Sequence, residues 1–130
     1  MVRIVSVGFL FLVVSVVAHS AEEMWSFSVG EEDQFSRSSE KEPLVNRHCH
    51  QLVQKSKKCL AQESVKHASM KSISSEWRQN TSNPGVLICL QLKGSLRIGK
   101  DSQGNENSFC EFSDHSRIDC GSLVRAALQR

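Results

Sequence analysis

Beyond its first twenty residues, this 130-residue sequence has no apolar run long enough to cross a bilayer, which excludes a membrane-spanning helix from the bulk of the chain. It has no C-x-x-C pair, so no cysteine sits in the setting that lowers a thiol pKa for redox work. With two prolines it has no proline-rich, collagen-like or coiled-coil composition, and no segment of it repeats another. Gly94, Gly99 and Gly104 fall at element ends and turns and make no phosphate-binding loop. No acid-base, nucleophile or metal set stands out, so the expectation is a protein that is not an enzyme and carries no cofactor.

What is present begins with an export signal. Arg3 precedes about fifteen residues, Ile4 to Ala18, of the length of a signal core, and the small residues Ala18 and Ser20 favour cleavage before Ala21. No cysteine stands directly after this stretch, so a lipoprotein anchor has no acceptor. The expectation is a periplasmic or secreted protein of about 110 residues after cleavage, enough for one domain with a lean core. All five cysteines (Cys49, Cys59, Cys89, Cys110, Cys120) lie beyond the signal, where an oxidising compartment preserves disulfides that compensate for a small core.

The formal net charge of +2 hides an asymmetry. Residues 22–43 hold seven acids against Arg37 and Lys41, and the remainder of the mature chain is basic. Bases and acids scattered in this way describe an ordinary solvated surface, and no nucleic-acid partner is expected. The organisation reads as a signal peptide over 1–20, an acidic flexible tail over 21–45, a helical segment over 46–80 and a small domain over 81–130. Trp25, Phe27 and Val29 alternate as a strand would, but Gly30 and the acids after it interrupt the pattern. Cys49, Leu52, Val53, Cys59 and Leu60 recur near helical spacing, with Lys55, Lys57 and Lys58 on the other side, and predict an amphipathic helix. Val65, Ala68, Ile73 and Trp77 predict a second, weaker one.

The strongest local signals lie in the last third. Asn83-Pro84 reads as an N-cap with proline at the first helical position, and Gly94 as the helix stop. Leu96 and Ile98 alternate with polar residues, residues 100–105 supply turn chemistry, and Phe109, Cys110 and Phe112 form a second strand. Asp114-His115 makes another turn, Ser116 and Asp119 fit a helix start, and Cys120, Leu123, Val124, Ala127 and Leu128 give a helical stripe. The fold class predicted is α+β, a small disulfide-bonded helix-hairpin-helix domain (α-β-β-α) preceded by one or two amphipathic helices.

Asn83-Pro84, Cys89, Gly94, Leu96-Arg97-Ile98, Asp101, Gly104, Cys110-Glu111-Phe112, Asp114, Ser116-Arg117-Ile118-Asp119 and Leu123 together resemble a small bacterial family, domain of unknown function 333, whose members often carry a hemolysin label. The resemblance spans residues 83–125. It departs from the family pattern at Ser95, His115 and Cys120, and it implies no catalytic residue. Cys89 and Cys110, on the first helix and second strand of this motif, are the pair expected to bridge, closing a loop worth roughly 3 kcal/mol in chain entropy. A second bridge is expected among Cys49, Cys59 and Cys120. Ten residues of unbroken helix span about 15 Å, too far for a disulfide, so either the helix breaks near Ser56 or Cys49 and Cys59 do not pair.

His48, Cys49 and His50 alternate around a helix and cannot share one metal ion, so no metal site is expected. Arg97, Asp101, Asp114 and Arg117 on the turns of the motif are the candidate exposed binding residues. The function expected is an exported, noncatalytic binding module whose partner is a protein or an envelope component, recognised by the domain from Asn83 to Leu128. The alternative is a membrane-active, hemolysin-like protein using the basic segment 46–78 on anionic lipid.

Overall fold

The alternation begun by Trp25 and Phe27 runs on into a full strand. In the computed structural model, which describes residues 21–71, 73 and 83–129, strand β1 spans Glu22–Ser28, turns at Gly30 and returns as β2, Glu31–Ser36. The expected export signal and Trp77 lie outside the described residues. The short β3 (Val45–Asn46) leads into α1 (Arg47–Gln54), whose start is capped by the Asn46 side chain accepting from the Cys49 N–H. Then come α2 (Leu60–Ser64), α3 (Pro84–Gln91), β4 (Ser95–Lys100), β5 (Glu106–Glu111), β6 (Arg117–Asp119) and α4 (Cys120–Leu128). The strands close into an antiparallel barrel in the order β1-β2-β3-β6-β5-β4.

This corrects the predicted α-β-β-α domain. The C-terminal segment is α-β-β-β-α, and it forms one side of a barrel whose other side is built by the residues expected to be a flexible acidic tail. The strand that the sequence hid, β6, has only three residues between a turn and a helix cap, too few to show a period.

Inward-facing side chains fill the barrel with aromatic rings. Phe35 and Phe109 meet at the centre with ring centroids 4.5 Å apart, and Trp25 and Phe27 each approach Phe109 edge-on at 5.2 Å. Gly99 makes room for them, since a Cβ there would stand 2.9 Å from Phe109 Cε2 and 3.2 Å from Phe27 Cε1. Leu44 completes this cluster.

The barrel has an internal two-fold pattern that the residue types do not repeat. The ladder pairs Glu23↔Phe35 and Trp25↔Asp33 recur as Arg97↔Phe109 and Gly99↔Asn107, each residue displaced by the same interval along the chain. Phe35↔Asn46 recurs as Phe109↔Asp119, and both Asn46 and Asp119 cap the helix that follows. The two halves meet through Ser26↔Lys100 and Val45↔Ile118, pairs whose members occupy equivalent places. The chain is therefore two β-β-β-α halves joined about a pseudo-dyad. Only Phe35 and Phe109 keep the same residue type among these pairs, which is why no repeat is legible in the sequence.

Outside the barrel, helices cover a second apolar layer that includes Ile88, Ile118, Leu123 and the cysteines. The predicted helix from Asn46 breaks where Ser56 adopts φ 57°, which returns the chain so that Cys49 and Cys59 lie 5.3 Å apart at Cα and form a disulfide. α2 ends before the second predicted helix, whose described residues 65–71 form turns and bends instead of a helix, with Ala68 and Ile73 buried. Asn83 caps α3 by accepting from the Gly85 N–H. At its other end Lys93, not Gly94, takes the left-handed conformation, at φ 62°. Gly94 instead clears space for the second disulfide, Cys89–Cys110, because a Cβ there would lie 2.2 Å from Cys110 Sγ. Replacing both cysteines of this bridge with alanine should cost about 2–5 kcal/mol, read as a lower denaturant midpoint in an equilibrium unfolding curve.

Candidate functional site

Residues two apart on a strand share a face, so Glu31 and Asp33 point the same way as Phe35 and continue the barrel lining toward one mouth. Glu111 does the same beyond Phe109, and Arg117 reaches them from β6. Its guanidinium donates to Glu31 Oε1 at 2.6 Å, Asp33 Oδ2 at 3.1 Å and Glu111 Oε2 at 2.5 Å, and lies 4.4 Å from the Phe27 ring centroid. The Arg117 side chain is 9 % exposed. Arg97 adds ion pairs to Glu31 at 2.9 Å and Glu111 at 3.4 Å. Hydrogen bonding by Arg117 is the main cause holding the Glu31 carboxyl down to about 2. Burial would lower the Arg117 pKa, but its carboxylate partners Glu31 and Glu111 raise it on balance. The place equivalent to Arg117 in the other half is taken by Leu44, buried and apolar.

The remaining nominated residues also have internal roles. The Asp101 carboxylate holds the β4–β5 turn by accepting from the Gln103 and Asn105 N–H groups at 2.9 Å and from the Asn105 side chain, whose hydrogen bond chiefly lowers its pKa. Asp114 accepts from the Leu60 N–H at 2.8 Å and the Ser116 N–H at 3.0 Å, tying α2 to the β5–β6 turn. Burial pushes its pKa up, and those hydrogen bonds bring it below the ordinary value. Of the four residues expected to be exposed, Arg117 is buried, and Arg97, Asp101 and Asp114 are half-buried. The structure brings Arg97 and Arg117 together and leaves Asp101 and Asp114 at separate turns. The sequence reading missed Glu31, Asp33 and Glu111, although Glu31 and Asp33, four and two residues before Phe35, carried the period of one strand face.

Cys49 and Cys59 form one bridge, Cys89 and Cys110 the other, and Cys120 is free and buried. Burial, with the charge of Asp119 beside it, pushes the Cys120 thiol up to about 12. His48 contacts the Asp114 carbonyl at 2.7 Å, and His50 contacts the Ser36 hydroxyl at 3.0 Å and its carbonyl at 3.2 Å. Among the described residues no three His, Cys, Asp or Glu side chains are arranged to hold a metal ion. The basic stretch expected to lie on lipid is interrupted at Ser56.

Two open grooves flank the barrel, the first of mixed character and the second polar. One, of about 460 Å³, runs between residues 40–43 and α4 and includes Lys66, Ser122 and Arg125. The other, of about 500 Å³, lies between β2 and α1 and is lined chiefly by Ser36, Arg37, Arg47, His50 and Gln54. No helix among the described residues is long and apolar enough to cross a membrane.

A two-halved antiparallel barrel with a filled interior, two disulfides and open surface grooves places the protein among small disulfide-bonded barrel domains. More specifically, residues 80–127 match the family described as Domain of unknown function (DUF333). The match covers α3, β4, β5, β6 and nearly all of α4, which is one half of the barrel with the helix before it. No curated protein and no solved structure matches the chain.

Proposed function

We propose that the chain works outside the cytoplasm, after loss of its signal, as a noncatalytic binding module whose partner is an envelope component or another protein. The observation that carries this reading is the solid aromatic filling of the barrel, which leaves recognition to surface grooves instead of an enclosed chamber. Two disulfides support work in an oxidising compartment. The buried Cys120, with its thiol pushed up to about 12, is a poor nucleophile at neutral pH, which supports the noncatalytic reading.

Export is checked by mass spectrometry of protein recovered from periplasm or medium. The mass should correspond to a chain starting at Ala21, and a mass starting at Met1 would refute cleavage. The binding role is checked by capture from an envelope extract, competed by excess free protein, beside a dye-leakage assay on anionic vesicles. Competable capture with no leakage supports the module. Leakage at low protein concentration would favour the membrane-active alternative.

A further inference from the structure

The pseudo-dyad sets up an internal comparison that bears on the β2–α1 groove. In the C-terminal half, α3 packs on α4, β4 and β5, and its Gly85 approaches so closely that a Cβ would stand 2.4 Å from the Cys120 carbonyl oxygen. The Asn83 cap of α3 lies 3.5 Å from the Ser108 hydroxyl. Beneath this helix Cys110, Cys120, Leu123 and Ala127 are buried. Carried through the dyad, these four positions become Ser36, Arg47, His50 and Gln54, and Ser108 becomes Gln34. All five line the 500 Å³ groove. The groove therefore lies where the other half holds a helix, and its walls have changed from the apolar Leu123 and Ala127, the bridged Cys110, the Cys120 thiol and the Ser108 hydroxyl to wholly polar and basic side chains. An apolar covering helix like α3 would bury the Arg37 and Arg47 guanidinium groups without partners, so the residues fit a polar occupant.

The charges narrow the choice. Arg37 and Arg47 both line the groove, and among the described residues neither makes an ion pair. The acid in the lining, Glu22, accepts a hydrogen bond from the Gln34 amide. His50 is held by Ser36, while Gln54 and Ser38 add neutral donors and acceptors. Guanidinium groups recognise carboxylate and phosphate oxygens by paired N–H donors, and the volume is that of a small-ligand site. We propose that this groove binds a small oxyanionic ligand, a polycarboxylate or a phosphate ester, gripped by Arg37 and Arg47.

The inference rests on the binding-module reading and is tested separately from it. Isotope-labelled exported protein is titrated with citrate and with inorganic phosphate at constant ionic strength and followed by amide NMR. Saturable shifts confined to residues 36–38 and 47–54 are expected. The tighter of the two probes identifies a carboxylate or a phosphate ligand. Arg37→Gln combined with Arg47→Gln should weaken binding about tenfold or more without moving the melting midpoint, whereas Arg125→Gln in the other groove should change nothing. Shifts that rise linearly or spread over the whole surface would overturn the inference, as would full affinity in the double variant. Competable capture that persists in a protein failing these titrations would remove the anion site and leave the module reading intact.

Discussion

Deleting residues 22–43 should abolish cooperative folding altogether. A disordered acidic tail could be removed at no cost, but here the deletion takes away β1 and β2, which contribute Trp25, Phe27 and Phe35 to the interior and the carboxylates around Arg117. What remains would expose Phe109 and two unpaired strand edges, those of β3 and β4, which recruit other chains. Thermal unfolding by near-ultraviolet circular dichroism should show no transition for the truncated protein, and gel filtration should find it aggregated. A sharp transition near that of the parent would show that the C-terminal half folds without its counterpart. The result also bears on the expected recognition by Asn83–Leu128, because in the barrel that segment and the acidic stretch share one core.

The second large effect is expected at Arg117. Arg117→Leu leaves Glu31, Asp33 and Glu111 facing one another at the barrel mouth without their shared cation. Because these carboxylates are partly exposed and two of them keep Arg97, the loss should fall below the ~3–5 kcal/mol of breaking a fully buried pair. Leucine itself suits the place, since Leu44 fills the equivalent one. Adding Glu31→Gln, Asp33→Asn and Glu111→Gln should therefore recover most of the loss, which denaturant titration of the two variants would measure. The pH dependence follows the same logic. A carboxyl whose folded pKa is depressed stabilises the fold above its unfolded value and loses that contribution as pH falls through the folded value. For Glu31 the window runs from about 4.5 down to about 2. The parent should lose stability across that window more steeply than the quadruple variant. Equal slopes would mean that the network contributes no pH-dependent stability.

The C-terminal half was more legible than the N-terminal half for identifiable reasons. Asn83-Pro84 and the Asp101 turn act through neighbours a few residues away, so residue type and spacing were enough to place α3 and the β4–β5 hairpin. The last helix, read as starting at Ser116, starts instead at the Asp119 cap because β6 occupies 117–119. The acids of β1 and β2 look like a solvated tail because their partners, Arg97 and Arg117, lie more than sixty residues further along the chain. Only the closed barrel shows that the acidic and basic parts of the sequence complement each other. Arg117 was read as exposed for the same reason. The break at Ser56 was legible only as one of two alternatives, because a serine in the left-handed region has no local signature and the bridge that stabilises it joins residues on either side. The groove was invisible because Ser36, Arg37, Arg47 and His50 acquire meaning only beside their equivalents in the other half.

Each disulfide lies wholly within its own half, Cys49–Cys59 in one and Cys89–Cys110 in the other, and neither crosses the pseudo-dyad. Oxidation therefore locks local loops and leaves the mating of the halves to noncovalent contacts: strand pairing, the Phe35–Phe109 contact and the ion pairs of Arg97 and Arg117 with Glu31 and Asp33. A chain built this way can trade partners. At high concentration one molecule's first half can close on another's second half, burying the same rings and using the same pairing registers, so an exchanged dimer needs no interface that the monomer does not already possess.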